Sequence, residues 1–260
     1  MPRRLSAEQI ASFKIDGFLP VENVVTGDGV AQLAEYADLV AAGEVGHIPA
    51  ERIQLEPPFR HGTEPVLDQV LSVRKLSAVA CRDEVFWRHA CHPAIVDMVA
   101  DLLGTDDIKL YNDQLFMKGP RTGSEQPWHQ DSASWRDIFP MDLVTAWTAM
   151  DEATTENGCL NFAAGTHRWG MVRKERLRPF IEHLGRDPWP MVEVPLRPGD
   201  VSFHHSLVLH RSGPNPTGTR RRGYAVHYMR ANSWRDESVD DAPNVPPFRQ
   251  VRGRSFPGRV

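Results

Sequence analysis

The spacing of apolar residues changes character partway along the chain. Up to about residue 107 they recur at three- and four-residue steps, and beyond it they alternate or form short runs. "GVAQLAEYADLVAAG" (29–43) sets Val30, Leu33, Ala34, Ala37 and Val40 on one face of a helix. Ser6 followed by Gln9 fits a capping box ahead of "IASFKIDG", with Gly17 as the stop. In "HPAIVDMVADLLG" (92–104), Pro93 stands where a first-turn proline belongs, and Gly104 closes the helix. Residues 44–70, between the last two, show no period and carry four prolines, the pattern of a lid or binding loop.

"IKLYNDQLFMK" (108–118) alternates as a half-buried strand does. "LVTAWTAMD", "CLNFAAG", "MVEVPL", "DVSFHHSLVLH" and "RRGYAVHYMR" each read as one short strand. Asn157-Gly158, Arg197-Pro-Gly-Asp200 and "SGPNPTGT" mark turns between them. Asn157-Gly158 and "GTHRWG" predict hairpin turns, with His167 bonded locally. Short strands without interleaved helices indicate a sandwich or barrel rather than a parallel α/β sheet. The expected fold is mainly β with flanking helices. Its core is a double-stranded β-helix, a cupin-like jelly roll, over 108–230. Helices within 1–107 pack outside it, and 231–260 form an extended tail.

Composition narrows the class. An apolar share of 41% over 260 residues builds a substantial core, and no low-complexity linker divides the chain, so one domain is expected. A net charge of -4 gives no reason to expect nucleic acid or an anionic membrane as partner. No run approaches the length of a membrane span, and "MPRRLSAEQIASF" has no apolar segment of the signal-peptide kind. Three cysteines are an odd number with no CxxC spacing, which predicts free thiols in a reducing cytoplasm. Oligomeric state is not readable.

The candidate chemistry lies in "PWHQDS". His129 and Asp131 stand two apart, and on a strand both would face one side and reach one metal. With 11 histidines in the chain, chance alone supplies about one His-x-Asp pair, so a third ligand is needed. His204, His205 and His210, in "FHHSLVLHRSGPN", are the candidates.

Four stretches in this order resemble the phytanoyl-CoA dioxygenase family of Fe(II)/2-oxoglutarate oxygenases. They are "PWHQD" (127–131), "AWTAMDEATTENGCLNFAAGTH" (146–167), "PGDVSFHHSLVLHRSGPN" (198–215) and "RRRGYAVHYM" (220–229). "LSAEQIASFKIDGFLPVENVV" and "VRKLSAV" (73–79) extend the likeness over nearly all of residues 5–230. The family's distal histidine directly precedes a Ser-Gly-x-Asn turn, so the resemblance selects His210 and leaves His204 and His205 as structural neighbours. It implies a His129, Asp131, His210 triad, a set that suits Fe(II) and leaves three positions open. It also implies 2-oxoglutarate and O2 as cosubstrates, with succinate and CO2 released as a small organic molecule is hydroxylated. A secondary-metabolite intermediate fits that description. Relatives that halogenate carry a small residue in place of Asp131, so the carboxylate favours oxygenation. Desaturation, epoxidation and ring closure remain alternative outcomes.

The cosubstrate's far carboxylate calls for a cation, best supplied by a bidentate arginine. Of Arg220, Arg221 and Arg222, the family pattern selects Arg221, which would share a strand face with Gly223, Ala225 and His227. Ser212 matches a residue that bonds the same carboxylate, and Gln114, Trp147 and Lys75 match further cosubstrate positions. Trp135, Arg60 and His61 are the expected substrate contacts, between 44–70 and the barrel mouth. Two other classes compete: a cupin-like metal enzyme that does not turn over 2-oxoglutarate, and a binding protein with a structural or sensory metal.

Overall fold

Ser6 caps the first helix in both directions. Gln9 N–H donates to Ser6 Oγ at 3.2 Å, and Ser6 N–H donates to Gln9 Oε1 at 2.9 Å. The computed structural model describes residues 4–173, 175–177, 179, 191–239 and 248–260. Helix α1 (Ala7–Asp16) stops at Gly17, whose φ of 85° is left-handed. After β1 (Phe18–Val21), α2 (Gly27–Ala41) buries the predicted stripe Val30, Leu33, Ala34, Ala37 and Val40. Then come β2 (Ile53–Leu55), α3 (Pro57–Arg60), α4 (Gln69–Ser72), β3 (Val73–Ser77), α5 (Glu84–Ala90) and α6 (Pro93–Leu103). The β-rich part supplies β4 (Ile108–Lys118), β5 (Gln126–His129), β6 (Ile138–Phe139), β7 (Val144–Ala149) and β8 (Leu160–Ala163). It continues with β9 (Met191–Val194), β10 (Val201–His205), β11 (His210–Ser212), β12 (Arg221–Arg230), β13 (Trp234–Arg235) and β14 (Gln250–Arg252).

Apart from a two-stranded ribbon of β13 and β6, the strands form two facing sheets, as a jelly roll requires. The large sheet runs β1-β10-β7-β12-β4-β3-β2, with β14 added on β4, and the small one runs β5-β11-β8-β9. Strand alternation sorts the side chains of the large sheet. Val201, Phe203, Val144, Ala146, Tyr224, Val226 and Tyr228 face the helices in one apolar core. Trp147, Ala149 and Ala225 face the other way and meet Leu160 and Phe162 of the small sheet. Phe18 stacks on Phe162 with ring centroids 4.5 Å apart, closing one end of that inner core.

The segment 44–70 is more regular than its lack of period predicts. Its β2 pairs with β3, and the fully buried Glu56 takes an ion pair from Arg74 at 3.1 Å. "DVSFHHSLVLH" is two strands rather than one. Val208 N–H donates to His205 O at 2.9 Å, and the chain crosses there from the large sheet to the small one. No glycine or proline marks that corner, which is why the apolar run reads as continuous. Neither predicted hairpin forms. Asn157-Gly158 lies in a link between β7 and β8, which belong to different sheets, and "GTHRWG" holds a 3-10 turn over Thr166–Trp169. His167 Nε2 reaches Lys14 O at 3.1 Å, a long-range bond to α1 rather than a local one.

Candidate metal and cosubstrate site

His129 and His210 are direct cross-strand partners on β5 and β11, with ring centroids 4.1 Å apart. Each Nδ1 lies against the carbonyl two residues earlier: Pro127 O at 2.8 Å and Val208 O at 3.0 Å. Those bonds place the proton on Nδ1 and leave each Nε2 lone pair for another partner. The strand ends at His129, and Asp131 opens a 3-10 turn. The expectation that His129 and Asp131 share a strand face therefore does not hold; the turn brings the carboxylate round instead. Asp131 Oδ1 is 3.6 Å from His129 Nε2 and 3.8 Å from His210 Nε2. The three possible ligand atoms all lie within 4.8 Å of one another.

The residue between the pair anchors the turn. Gln130 is fully buried, donates to Gly170 O at 2.9 Å and Leu207 O at 2.7 Å, and accepts from Val172 N–H at 2.7 Å. Burial alone would raise the Asp131 carboxyl's pKa, but His210, His129 and His204 around it hold it well below the ordinary carboxylate range. Burial, reinforced by His129, keeps the His210 pKa well below its usual value. An ionised carboxylate beside neutral imidazoles is the state a divalent metal needs.

A cavity of about 240 Å³ opens on the cluster, lined also by Lys75, Gln114, Trp135, Trp147, Ser212 and Arg221. Two expected substrate contacts are not there. Arg60 and His61 are exposed and bonded to each other at 3.3 Å; Arg60 lines a separate hollow with Gln54 and Ser77. Pro57-Pro58 start α3 just beyond β2 at the sheet edge, which carries both residues outward.

Arg221 is 1% exposed, yet among the described residues its guanidinium has no carboxylate partner. Nη2 donates to Gly158 O, the ring of Trp147 lies 5.3 Å from the guanidinium carbon, and Nε has no hydrogen-bond partner. Burial lowers its pKa to about 10, so it stays cationic at neutral pH. A buried cation with an unsatisfied donor, in a cavity, fits an anionic ligand group. Its neighbours are paired elsewhere: Arg220 with Asp38 at 2.7 Å, and Arg222 with Asp38 at 3.1 Å and Asp151 at 2.7 Å.

Several residues have supporting contacts that the linear sequence does not reveal. Gly223 lies beside Trp147 so closely that a Cβ there would sit 1.8 Å from Cζ2. Gly158, at φ 87°, leaves its carbonyl to Arg221, and a Cβ there would meet Gly213 O at 2.4 Å. Lys118, read only as part of a strand, is buried and donates to the carbonyls of Ser124, Ser212 and Gly213, holding the turn that carries Ser212. His204, expected as a structural neighbour, and His227, expected on the Arg221 face, both line the cavity.

A jelly roll that gathers two histidines, a carboxylate and a buried arginine in one cavity defines the class: a cupin-like, non-haem, 2-oxoglutarate-dependent type of oxygenase fold. The phytanoyl-CoA dioxygenase (PhyH) family model matches residues 13–223. A probable phytanoyl-CoA dioxygenase from Caenorhabditis elegans is 26% identical, over 91% of this chain and 79% of that protein. EctD from S. alaskensis, solved with 2-oxoglutarate and 5-hydroxyectoine, superposes with a TM-score of 0.77 at 24% identity, covering 99% of this chain and 88% of that one. The α-ketoglutarate-dependent epimerase SnoN from nogalamycin biosynthesis superposes at 0.74 with 21% identity, over 95% and 98% of the two chains. The chain belongs to the phytanoyl-CoA dioxygenase family, a family of Fe(II)- and 2-oxoglutarate-dependent oxygenases. Among the described residues, no helix is long and apolar enough to cross a membrane.

Proposed function

We propose that this protein is an Fe(II)- and 2-oxoglutarate-dependent hydroxylase of a small organic molecule. The observation that carries this reading is the coexistence, in one cavity, of the His129, Asp131, His210 cluster and the buried, incompletely satisfied Arg221. His129 Nε2, Asp131 Oδ1 and His210 Nε2 are the metal ligands. Bound there, iron with 2-oxoglutarate and O2 supplies oxidation of an unactivated C–H bond, with release of succinate and CO2. Arg221 and Ser212 hold the far carboxylate of 2-oxoglutarate, and Trp147 walls it against the large sheet. Gln114 and Lys75 line the same wall and contact the cosubstrate. Trp135, buried and with its ring 4.5 Å from that of His227, forms part of the substrate wall.

The substrate fits beside the cosubstrate, and its pose decides whether oxidation ends in hydroxylation, desaturation, epoxidation or ring closure. The relative named as an epimerase illustrates that this fold serves more than one outcome. Cys81, Cys91 and Cys159 are in no disulfide among the described residues, as suits a reducing, cytoplasmic setting.

The test is the visible spectrum of metal-free protein under anaerobic conditions after addition of Fe(II) and 2-oxoglutarate. A weak charge-transfer band is expected that needs both additions, is lost in His210→Ala and needs far more 2-oxoglutarate in Arg221→Ala. A folded, iron-loaded protein that shows no such band would return the chain to a cupin-like metal protein without 2-oxoglutarate turnover.

A further inference from the structure

One row of side chains crosses three strands of the large sheet toward Asp131. In register, Thr145 of β7 is the direct partner of His204 on β10 and of His227 on β12. All three are buried, at 0%, 2% and 3% exposure for Thr145, His204 and His227. Each faces the oxygen of Asp131 that the two histidine ligands do not. Thr145 Oγ1 donates to Asp131 Oδ2 at 3.1 Å, and His204 Nε2 stands 3.4 Å from the same oxygen. His227 Nδ1 lies 2.8 Å from Thr145 Oγ1.

Hydrogen counting fixes the direction of the chain. An ionised carboxylate only accepts, so the single Thr145 hydroxyl proton goes to Oδ2. His227 must then donate from Nδ1 to Thr145 Oγ1, which leaves its Nε2 as a bare lone pair. His204 turns Nε2 toward the same oxygen at 3.4 Å, longer than a full hydrogen bond, which leaves its Nδ1 bare. Both bare atoms, His227 Nε2 and His204 Nδ1, are buried without a hydrogen-bond partner. Such atoms cost stability, so packing alone does not account for two imidazoles where apolar rings would fit.

We propose that His204, Thr145 and His227 are positioning residues that hold Asp131 by Oδ2, so that Oδ1 alone is offered to the metal. The inference rests on the metal reading of the cluster. With Oδ2 occupied, the carboxylate binds through one oxygen, and the coordination positions beyond the three ligands stay available to the cosubstrates. Loss of the row frees the carboxylate to rotate, which weakens metal binding without removing a ligand.

Metal-free protein is titrated anaerobically with Co(II), followed by its visible d–d absorption, and the Tm of each metal-free form is recorded. The variants are Thr145→Val, which keeps shape, His204→Phe, and Thr145→Ser as the conservative control. Thr145→Val and His204→Phe are expected to weaken Co(II) binding about 10–100-fold, and Thr145→Ser to stay near the wild type. The metal-free Tm of His204→Phe should stay close to that of the wild type, because loss of the 3.4 Å contact to Asp131 is offset by removal of a buried unpaired nitrogen. Wild-type protein that binds Co(II) while both substituted forms bind it equally well overturns this inference alone. Weakening that merely follows a loss of Tm, with no rescue by Thr145→Ser, assigns the row to packing and also overturns it. A wild type that takes up no Co(II) overturns the metal reading, and this inference with it.

Discussion

His129 and His210 face each other across β5 and β11, each with Nδ1 held by the carbonyl two residues before it, at 2.8 and 3.0 Å. The two Nε2 atoms are thus oriented before any metal arrives. Binding to such a preformed site stabilises the folded state by mass action. At a free metal concentration about 100 times Kd, Co(II) should stabilise the protein by about 2.7 kcal/mol, read as a rise in Tm. A chelator should reverse the rise, and His210→Ala should abolish it.

Three consecutive arginines should separate by substitution. Arg221→Ala should raise the Kd for 2-oxoglutarate on the order of 100-fold, because charge-assisted bonds to a buried carboxylate are lost. Arg222 instead ties β12 to α2 and to Asp151, with ion pairs at 3.1 and 2.7 Å. Arg222→Ala should cost about 2–3 kcal/mol of stability in a urea titration, with 2-oxoglutarate affinity close to that of the wild type. Equal loss of 2-oxoglutarate affinity in both variants would contradict the assignment.

Gly223→Ala should act on the cosubstrate through Trp147. The added Cβ would sit 1.8 Å from Trp147 Cζ2, so the ring must shift away from Arg221. Overpacking of this kind costs about 1–3 kcal/mol. The Kd for 2-oxoglutarate should rise about tenfold as the cation loses its aromatic neighbour. Isothermal titration and thermal melts read the two effects separately.

Gln130→Leu removes an amide of similar size that serves three backbone groups, at 2.9, 2.7 and 2.7 Å. Leaving those groups buried and unpaired should destabilise the protein by about 3 kcal/mol or more in urea. Because the same amide anchors the turn bearing Asp131, Co(II) affinity should fall with it.

Acid sensitivity should trace in part to His89 of α5, which does not line the cavity. His89 is buried against Thr148 with an Nε2–Oγ1 distance of 3.0 Å, and burial, with a smaller effect of His92, lowers its pKa to about 3. The folded state keeps it neutral while the unfolded chain protonates it below its ordinary pKa. Its stabilising contribution is therefore complete above about pH 6.5 and is lost as pH falls toward 3, at about 1.4 kcal/mol per pH unit. Asp113, raised to about 6 by burial despite bonds from Ala80 and Val79, acts in the opposite direction but is common to both proteins being compared. His89→Gln should flatten the stability–pH curve between pH 6 and 4.5 by about that slope, measured by urea midpoints; an unchanged difference curve would place the acid sensitivity elsewhere.

The linear sequence by itself located the longer elements and nominated part of the site. Helical spacing and caps located α1, α2 and α6, alternation located β4, β-rich composition located β12, and the family resemblance nominated His129, Asp131, His210 and Arg221. These are local facts, carried by residues close in the chain. Which side chains meet was decided by tertiary structure. The corner between His205 and His210 carries no turn residue, so nothing local tells that His204 and His210 leave on different sheets yet bring their rings to 4.7 Å. The row of His204, Thr145 and His227 exists only through the register of three strands distant in sequence. Arg60 and His61, chosen by their nearness to an irregular segment, lie outside the cavity because β2 pairs with β3 and sets the following helix at the sheet edge. Backbone pairing between remote strands chooses these neighbours, and pairing partners are not encoded in the spacing of any one segment.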